Sequence, residues 1–289
     1  MLALFAVLVQ GAGKLGGTSL QAEETPTLSA IRAKYSSLQG GTWTEENVEQ
    51  SFIHQVVRPG DTILEIGTNI GRSTIVAAES AGPSGRVVSA EADPRRRAVA
   101  AKNVEGLNNV ELIPAISDTP LSLEVGNLGA STETDTAAKK TYQVSTTPLS
   151  AVRHLKPDVM IVDCEGCLDS LLPELGASAF LNSTRSIVLE SDALDTVKQA
   201  KTHSQLTTLG FKRTVCVTDP RHAALLRSIL LHKTGMQAPA DDGCFWAVLQ
   251  RNSIQGRPTV TVTRDPDEPF TAFTERAETL TAMAVHQTV

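Results

Sequence analysis

Aromatic residues are scarce in this chain, at 4% of 289 positions. That scarcity argues against the stacking platforms that hold single-stranded nucleic acid. Positive charge is not in excess either: Lys plus Arg total 26 against 32 for Asp plus Glu, a net charge of −6. Gripping a phosphate backbone needs a basic face, so no nucleic-acid partner is expected. Four cysteines (Cys164, Cys167, Cys216, Cys244) are too few for a disulfide scaffold. Cys164 and Cys167 form a C-x-x-C pair and read as two small buried or half-buried residues, with a redox or metal role as the alternative. The histidines show no metal-ligand spacing, and no metal is assigned. A G-x-S-x-G elbow is missing, which leaves serine hydrolase chemistry without support. The G-x-G-x-x-G fingerprint of nicotinamide dehydrogenases and the lysine of a P-loop are missing too. No stable membrane span is expected, because crossing a bilayer takes about 20 apolar residues.

Apolar residues make up 41% of the chain, enough for a sizeable core. Residues 2–9, LALFAVLV, are a short apolar run. Residues 1–23 therefore read as an apolar N-terminal segment and a candidate signal peptide, with small residues and Ala22 at a cleavage position but no basic n-region before Lys14. A signal peptide over residues 1–22 implies the secretory pathway or an extracellular location; otherwise the chain is cytoplasmic. Residues 252–289 are rich in Thr, Pro and charge and read as a flexible tail with one short helix near Phe273–Met283. Residues 24–251 remain as one domain.

Within that domain strands and helices alternate. Thr42-Trp43-Thr44-Glu45 has the form of a capping box, and Val48, Phe52 and Val56 follow on one helical face. Strands are expected at Thr62–Ile66, Arg86–Ala90, Val110–Ala115, Val159–Val162 and Ile187–Glu190, with a closing pair at Phe211–Val217 and Phe245–Leu249. Helices are expected at Ser73–Ser80, from Asp93-Pro94 to Glu105, at Leu168–Leu175, at Pro220–His232 and at Asp195–Leu209, the last closed by Gly210. The polar residues 119–145 have no assignment. This alternation predicts an α/β fold with a mostly parallel sheet and helices on both faces. Ligands bind such sheets at the carboxyl ends of the strands, near the switch in strand order.

Those ends carry the candidate chemistry. Glu65-Ile66-Gly67-Thr68-Asn69-Ile70-Gly71 follows the first strand, and its glycines permit a tight turn and close backbone approach to a ligand. Glu91, 26 residues after Glu65, ends the second strand, where a carboxylate can accept from both hydroxyls of a ribose. Ser117 and Asp118 end the third. Asp163-Cys164-Glu165-Gly166 ends the fourth, and crowded carboxylates there suit a general base. Glu190-Ser191-Asp192 adds further acids to the same edge. Arg95-Arg96-Arg97, at the start of a helix, reads as a solvated basic face, with a phosphate or membrane contact as the alternative.

Gly60-Asp61, the glycine motif, Glu91 and Asn103 together resemble the FkbM-type S-adenosylmethionine-dependent methyltransferases. Thr146-Thr147-Pro148-Leu149, Ile161-Val162-Asp163-Cys164-Glu165-Gly166, Ile187-Val188-Leu189-Glu190 and Cys244-Phe245-Trp246 extend the resemblance over residues 44–250. The chain departs from that pattern at Glu65, where the family often has aspartate, at Ile161, where it often has lysine, and at Leu168, where it usually has an acid. The resemblance implies a Rossmann-like class I methyltransferase fold, a seven-stranded sheet with an antiparallel last strand. It implies S-adenosyl-L-methionine as cofactor and O-methyl transfer to a hydroxyl of a sugar, glycan or small natural product. Carried over by position, Glu65, Gly67, Thr68, Asn69 and Gly71 serve the cofactor's methionine end, Glu91 its ribose, and Ser117 and Asp118 its adenine. Asp163 and Glu165 face the reacting methyl. The departures motivate a second reading, a catalytically silent methyltransferase-fold protein that acts as a cofactor-binding or interaction module.

Overall fold

Two helices precede the sheet, α1 (Leu28–Lys34) and α2 (Asn47–Val56). The computed structural model describes residues 25–44, 46–124, 141–164, 167–168, 171–173, 180–190, 196–218, 246–251, 260–263 and 276. The Thr27 hydroxyl caps α1 by accepting from the Ala30 N–H. The expected apolar face of α2 forms, with Val48, Phe52 and Val56 all buried. Its start differs from the capping-box expectation. The helix begins at Asn47, Glu46 takes a left-handed conformation at φ 57°, and Glu46 makes no side-chain cap bond. The reason is Arg72, a buried cation that donates to the Thr42 carbonyl at 3.0 Å and to the Glu46 carboxylate at 2.9 Å. Thr42 is thereby committed outside the helix.

The sheet follows: β1 (Thr62–Ile66), α3 (Arg72–Ala81), β2 (Arg86–Ala90), α4 (Pro94–Asn103) and β3 (Val110–Ile113). Asp93 caps α4 and Pro94 opens it, as its sequence predicts. The third strand stops short of Ala115 because Pro114 has no N–H for the ladder. The chain then changes sheets and forms β4 (Ala115–Ile116). The unassigned polar segment contributes an antiparallel pair, β5 (Leu121–Glu124) and β6 (Thr141–Val144). Next come β7 (Thr146–Thr147), parallel to β4, α5 (Leu149–Val152), β8 (Val159–Val162) and β9 (Ser186–Glu190). Last come α6 (Thr196–Thr208), β10 (Phe211–Thr218), β11 (Trp246–Arg251) and β12 (Val260–Thr263). The helix expected at Pro220–His232 lies outside the described residues, as does the N-terminal segment 1–23.

The main sheet runs β12-β10-β11-β9-β8-β1-β2-β3. Strand β11 is antiparallel to both neighbours, and the other pairs are parallel. The α/β Rossmann-like class is thus observed, with eight strands in the main sheet among the described residues in place of the expected seven. The eighth, β12, comes from the segment read as a tail and pairs with Val215–Thr218. It satisfies backbone groups that β10 would otherwise leave open at the sheet edge.

Alternation along the strands sorts the core into two layers. Ile63, Val87, Val159, Ile161 and Val188 pack with α1, α2 and α3 on one face. Leu64, Val88, Met160, Val162 and Leu189 pack with α5, Leu206 of α6 and Phe211 on the other. Gly60-Asp61 plays a structural part, because Arg185 holds both Asp61 carboxylate oxygens and also donates to the Val56 carbonyl at 2.8 Å. This pins the end of α2 to the start of β1 and β9.

Phe52 is 0% exposed at the centre of the α2 layer. Phe52→Ala should therefore lower unfolding free energy by about 3–5 kcal/mol. Urea denaturation checks this, and a loss under about 1 kcal/mol would mean the α2 layer is not the packed core described.

Candidate functional site

Strand order reverses at β1. The chain steps from β1 to β2 and β3 on one side, then returns to lay β8 on the other. That leaves a crevice at the carboxyl ends of β1 and β8, where doubly wound sheets bind their ligands. The loop after β1 is a chain of positive φ angles: Gly67 at 104°, Asn69 at 52° and Gly71 at 88°. The Gly67 and Thr68 N–H groups donate to the Ala90 carbonyl at 2.9 and 3.2 Å, and the Asp163 N–H donates to Ile66 at 2.9 Å. The two loops then touch. A Cβ on Gly67 would lie 1.5 Å from the Asp163 carbonyl oxygen, so only glycine fits. Asn103 steadies the far end of the turn by donating to the Ile70 carbonyl at 2.8 Å and to the Gln39 carbonyl at 3.0 Å.

Glu91 follows β2 and is 8% exposed. Its two oxygens accept from the backbone N–H groups of Asn69, at 2.6 Å, and Asp93, at 2.8 Å. Burial raises its carboxyl above the usual range, and these two N–H bonds and Arg96 act against the rise. Two bonds leave a carboxylate with further lone pairs for a ligand's hydroxyls. The arginine run is not simply solvated. Arg96 donates to the Asn69 side-chain oxygen, Arg97 to the Glu91 carbonyl at 2.7 Å, and Arg95 to the Asp93 carboxylate at 2.7 Å.

These loops enclose a cavity of about 230 Å³. Of the sequence-predicted residues, Gly67, Asn69, Glu91, Asp163 and Glu190 line it. Thr68 and Gly71 shape the turn from behind: Thr68 shares a hydrogen bond with Ser89 at 2.5 Å, and Gly71 precedes the first turn of α3. Glu65 is also behind the wall. It is 0% exposed and accepts from the hydroxyls of Thr74 and Ser89. Burial raises its carboxyl above the usual range, and the hydroxyls of Ser73, Ser89 and Thr74 oppose this. Asp118 accepts from the Leu149 N–H at 2.9 Å, and Ser117 bonds within its own turn; Ala115 and Ile116 line the cavity in their place. Glu165 lies outside the described residues. Leu168 is buried in the core with Leu171 and Leu172.

Sequence reasoning passed over several lining residues. Cys164 and Cys167, read as small core residues, are disulfide-bonded and form part of the wall. Arg96 and Glu46 line it as well. The arginine run was the visible signal for Arg96, whereas nothing local marks Glu46, which reaches the site only through the packing of α2. A larger cavity, about 870 Å³, lies at the opposite edge beside Arg86, Val110 and the Gly82–Gly85 turn, at the amino ends of the strands. The strand-end rule argues against that edge as the ligand site.

No protein-family model matches the chain, and no curated protein matches it. Among solved structures it is similar to a precorrin-6y C5,15-methyltransferase from Geobacter metallireducens, at 17% identity over 66% of this chain and 84% of that one, TM-score 0.42. It is similar to an O-methyltransferase from Bacillus cereus in complex with SAH, at 16% identity over 77% of this chain and 86% of that one, TM-score 0.37. A protein-L-isoaspartate O-methyltransferase shares 33% identity, but over 22% of this chain and 21% of that one, TM-score 0.21.

The contact between the two loops has a direct test. Gly67→Ala forces a Cβ onto the Asp163 carbonyl, while Gly106, at φ 89°, has open space around it. Both changes carry left-handed strain of about 1–2 kcal/mol. Gly67→Ala should cost clearly more than Gly106→Ala in urea unfolding. Equal losses would mean that the loops do not approach as described.

Proposed function

We propose that this chain is an S-adenosyl-L-methionine-dependent methyltransferase that methylates a hydroxyl of a sugar, glycan or small natural product. One observation carries the reading: the glycine turn after β1, Glu91 after β2 and Asp163 after β8 converge on a single cavity at the strand-order switch. The residues suit the cofactor. The turn offers backbone at close range to the amino-acid end. Glu91 suits the ribose hydroxyls. Ala115, Ile116 and Leu121 supply an apolar flank for a flat ring.

When bound, the cofactor supplies a methyl group already activated on a sulfonium. The protein is left to align the acceptor, exclude water and receive a proton. Asp163, one of the carboxylates on the cavity wall, is the one we assign to take that proton, and Glu165 is its neighbour by sequence. A positioned base is typically worth about 10²–10⁴-fold in rate. The hydroxyl acceptor class rests on the resemblance of Ile161–Gly166 to the family motif. Glu65 belongs to the floor beneath the turn rather than to the ligand.

Isothermal titration of the full chain with S-adenosylmethionine and S-adenosylhomocysteine, with NAD as control, tests the reading. Both should bind, with NAD weaker. Glu91→Gln should weaken them at least about tenfold, since hydrogen bonds to a charged acceptor contribute about 1.5–3 kcal/mol. No binding to the folded chain would end the methyltransferase reading. Binding without S-adenosylhomocysteine release over a panel of sugar and phenolic hydroxyl acceptors would instead favour the catalytically silent module.

A further inference from the structure

We infer that Glu46, Glu49 and Asp163 form a binding site for a hard divalent cation, of the Mg²⁺, Mn²⁺ or Ca²⁺ class, in the wall of the cavity. One carboxylate oxygen from each residue lies within 4.8 Å of the other two. Such a triangle of carboxylate oxygens is what these cations take as ligands. Two ligands come from the start of α2, three residues apart and so on one side of the helix. The third comes from the loop after β8, at the end of the central sheet.

A second observation points to a cation as the ligand. Glu49 is 2% exposed, and its Oε1 is buried with no hydrogen-bond partner among the described residues. An unsatisfied buried carboxylate oxygen is costly, and buried charges are ordinarily paired or coordinate metals. The main charged groups acting on Glu49 are Asp163, Glu46 and Glu65, with Arg72 against them. That guanidinium is itself engaged by the Thr42 carbonyl and the Glu46 carboxylate. Among the described residues, Asp163, Glu46 and Glu65 thus act on Glu49 in one direction and Arg72 in the other. The helix terminus does not resolve this, since Glu46 makes no side-chain cap bond. Glu46 and Asp163 also line the cavity, so a cation held there is within reach of whatever occupies it.

The site stands on these residues and not on the methyltransferase reading, so its test uses no cofactor. Mn²⁺ alone is titrated into the full chain, with the free ion followed by electron paramagnetic resonance. One ion per chain should bind with Kd below about 1 mM. Glu49→Gln and Glu46→Gln should each weaken binding about 10–100-fold, the loss seen when even outer-shell partners of a metal are removed. Circular dichroism and a thermal melt establish that each variant is folded. Glu46, half-buried at the helix start, serves as the second variant should Glu49→Gln fail to fold. Mg²⁺ should compete. The inference is overturned if the folded wild-type chain retains no Mn²⁺ at millimolar concentration, or if both variants bind as tightly as wild type.

Discussion

The backbones of Gly67 and Asp163 meet so closely that no side chain fits between them, and much of the site depends on that approach. Parallel β1 and β8 are registered from Ile63 with Val159 to Ile66 with Val162. The ladder continues one step past the strands through the Asp163 N–H to Ile66. The two loops therefore leave the sheet side by side and are held in register. Because Gly67 presents only backbone, Asp163 stays at the sheet edge beside the glycine turn. A crevice at a strand-order switch becomes a shaped cavity only when its two banks are fixed in this way.

Beneath the turn lies an interior more polar than its burial suggests. Glu65, Thr68, Thr74 and Ser89 are all buried, and their side chains form one hydrogen-bonded group between β1, β2 and α3. Register explains the grouping, since Glu65 pairs with Ser89 across β1 and β2. The hydroxyls converge on one oxygen of Glu65, while its Oε1 has no hydrogen-bond partner among the described residues, so a shift of β2 or α3 would leave the buried carboxylate with still fewer partners. The network makes the turn's conformation a property of the sheet rather than of the loop. A positive-φ Asn69 is tolerable there because its N–H and side-chain oxygen are both used, by Glu91 and Arg96.

Most of the strand and helix pattern was legible in the sequence because its signals are local. Apolar runs of strand length, Asp93-Pro94 at a helix start and Gly210 at a helix end all act over a few residues, and each appears where expected. The glycine turn and Glu91 were legible for the same reason. What escaped depends on contacts distant in sequence. The start of α2 is decided by Arg72, which lies 30 residues beyond Thr42. Whether Glu65 faces a ligand or a floor of hydroxyls depends on β2 and α3. The break at Pro114 was a local signal that was passed over. Strand β12 also carried a local signal that was passed over, the β-branched alternation Val260-Thr261-Val262-Thr263, and it takes its place on the open edge of β10. Cys164 and Cys167 carried no spacing signal beyond C-x-x-C, and their pairing reflects the turn that follows β8.

The distribution of charge shows how the two halves of the site are coupled. Alternation along β8 sets Asp163 on the face of Val159 and Ile161, which is the α2 face. Glu49 arrives at the same place from the helix. Burial first, then Asp163, Glu46 and Glu65, push the Glu49 carboxyl well above its usual range, with Arg72 acting against them. That is the response of a buried acid crowded by other acids. An apolar residue at position 49 would pack against the core without this penalty, since replacing buried charge by well-packed apolar groups is often neutral or stabilising. Phe52 and Ile53 occupy such positions one turn later. Core packing therefore does not account for an acid at 49, whereas its place beside the carboxylates of Glu46 and Asp163 does. The carboxylates of α2 and of the β8 loop are better understood as one functional group assembled from two elements, held together by the same strand register that sets Gly67 against Asp163.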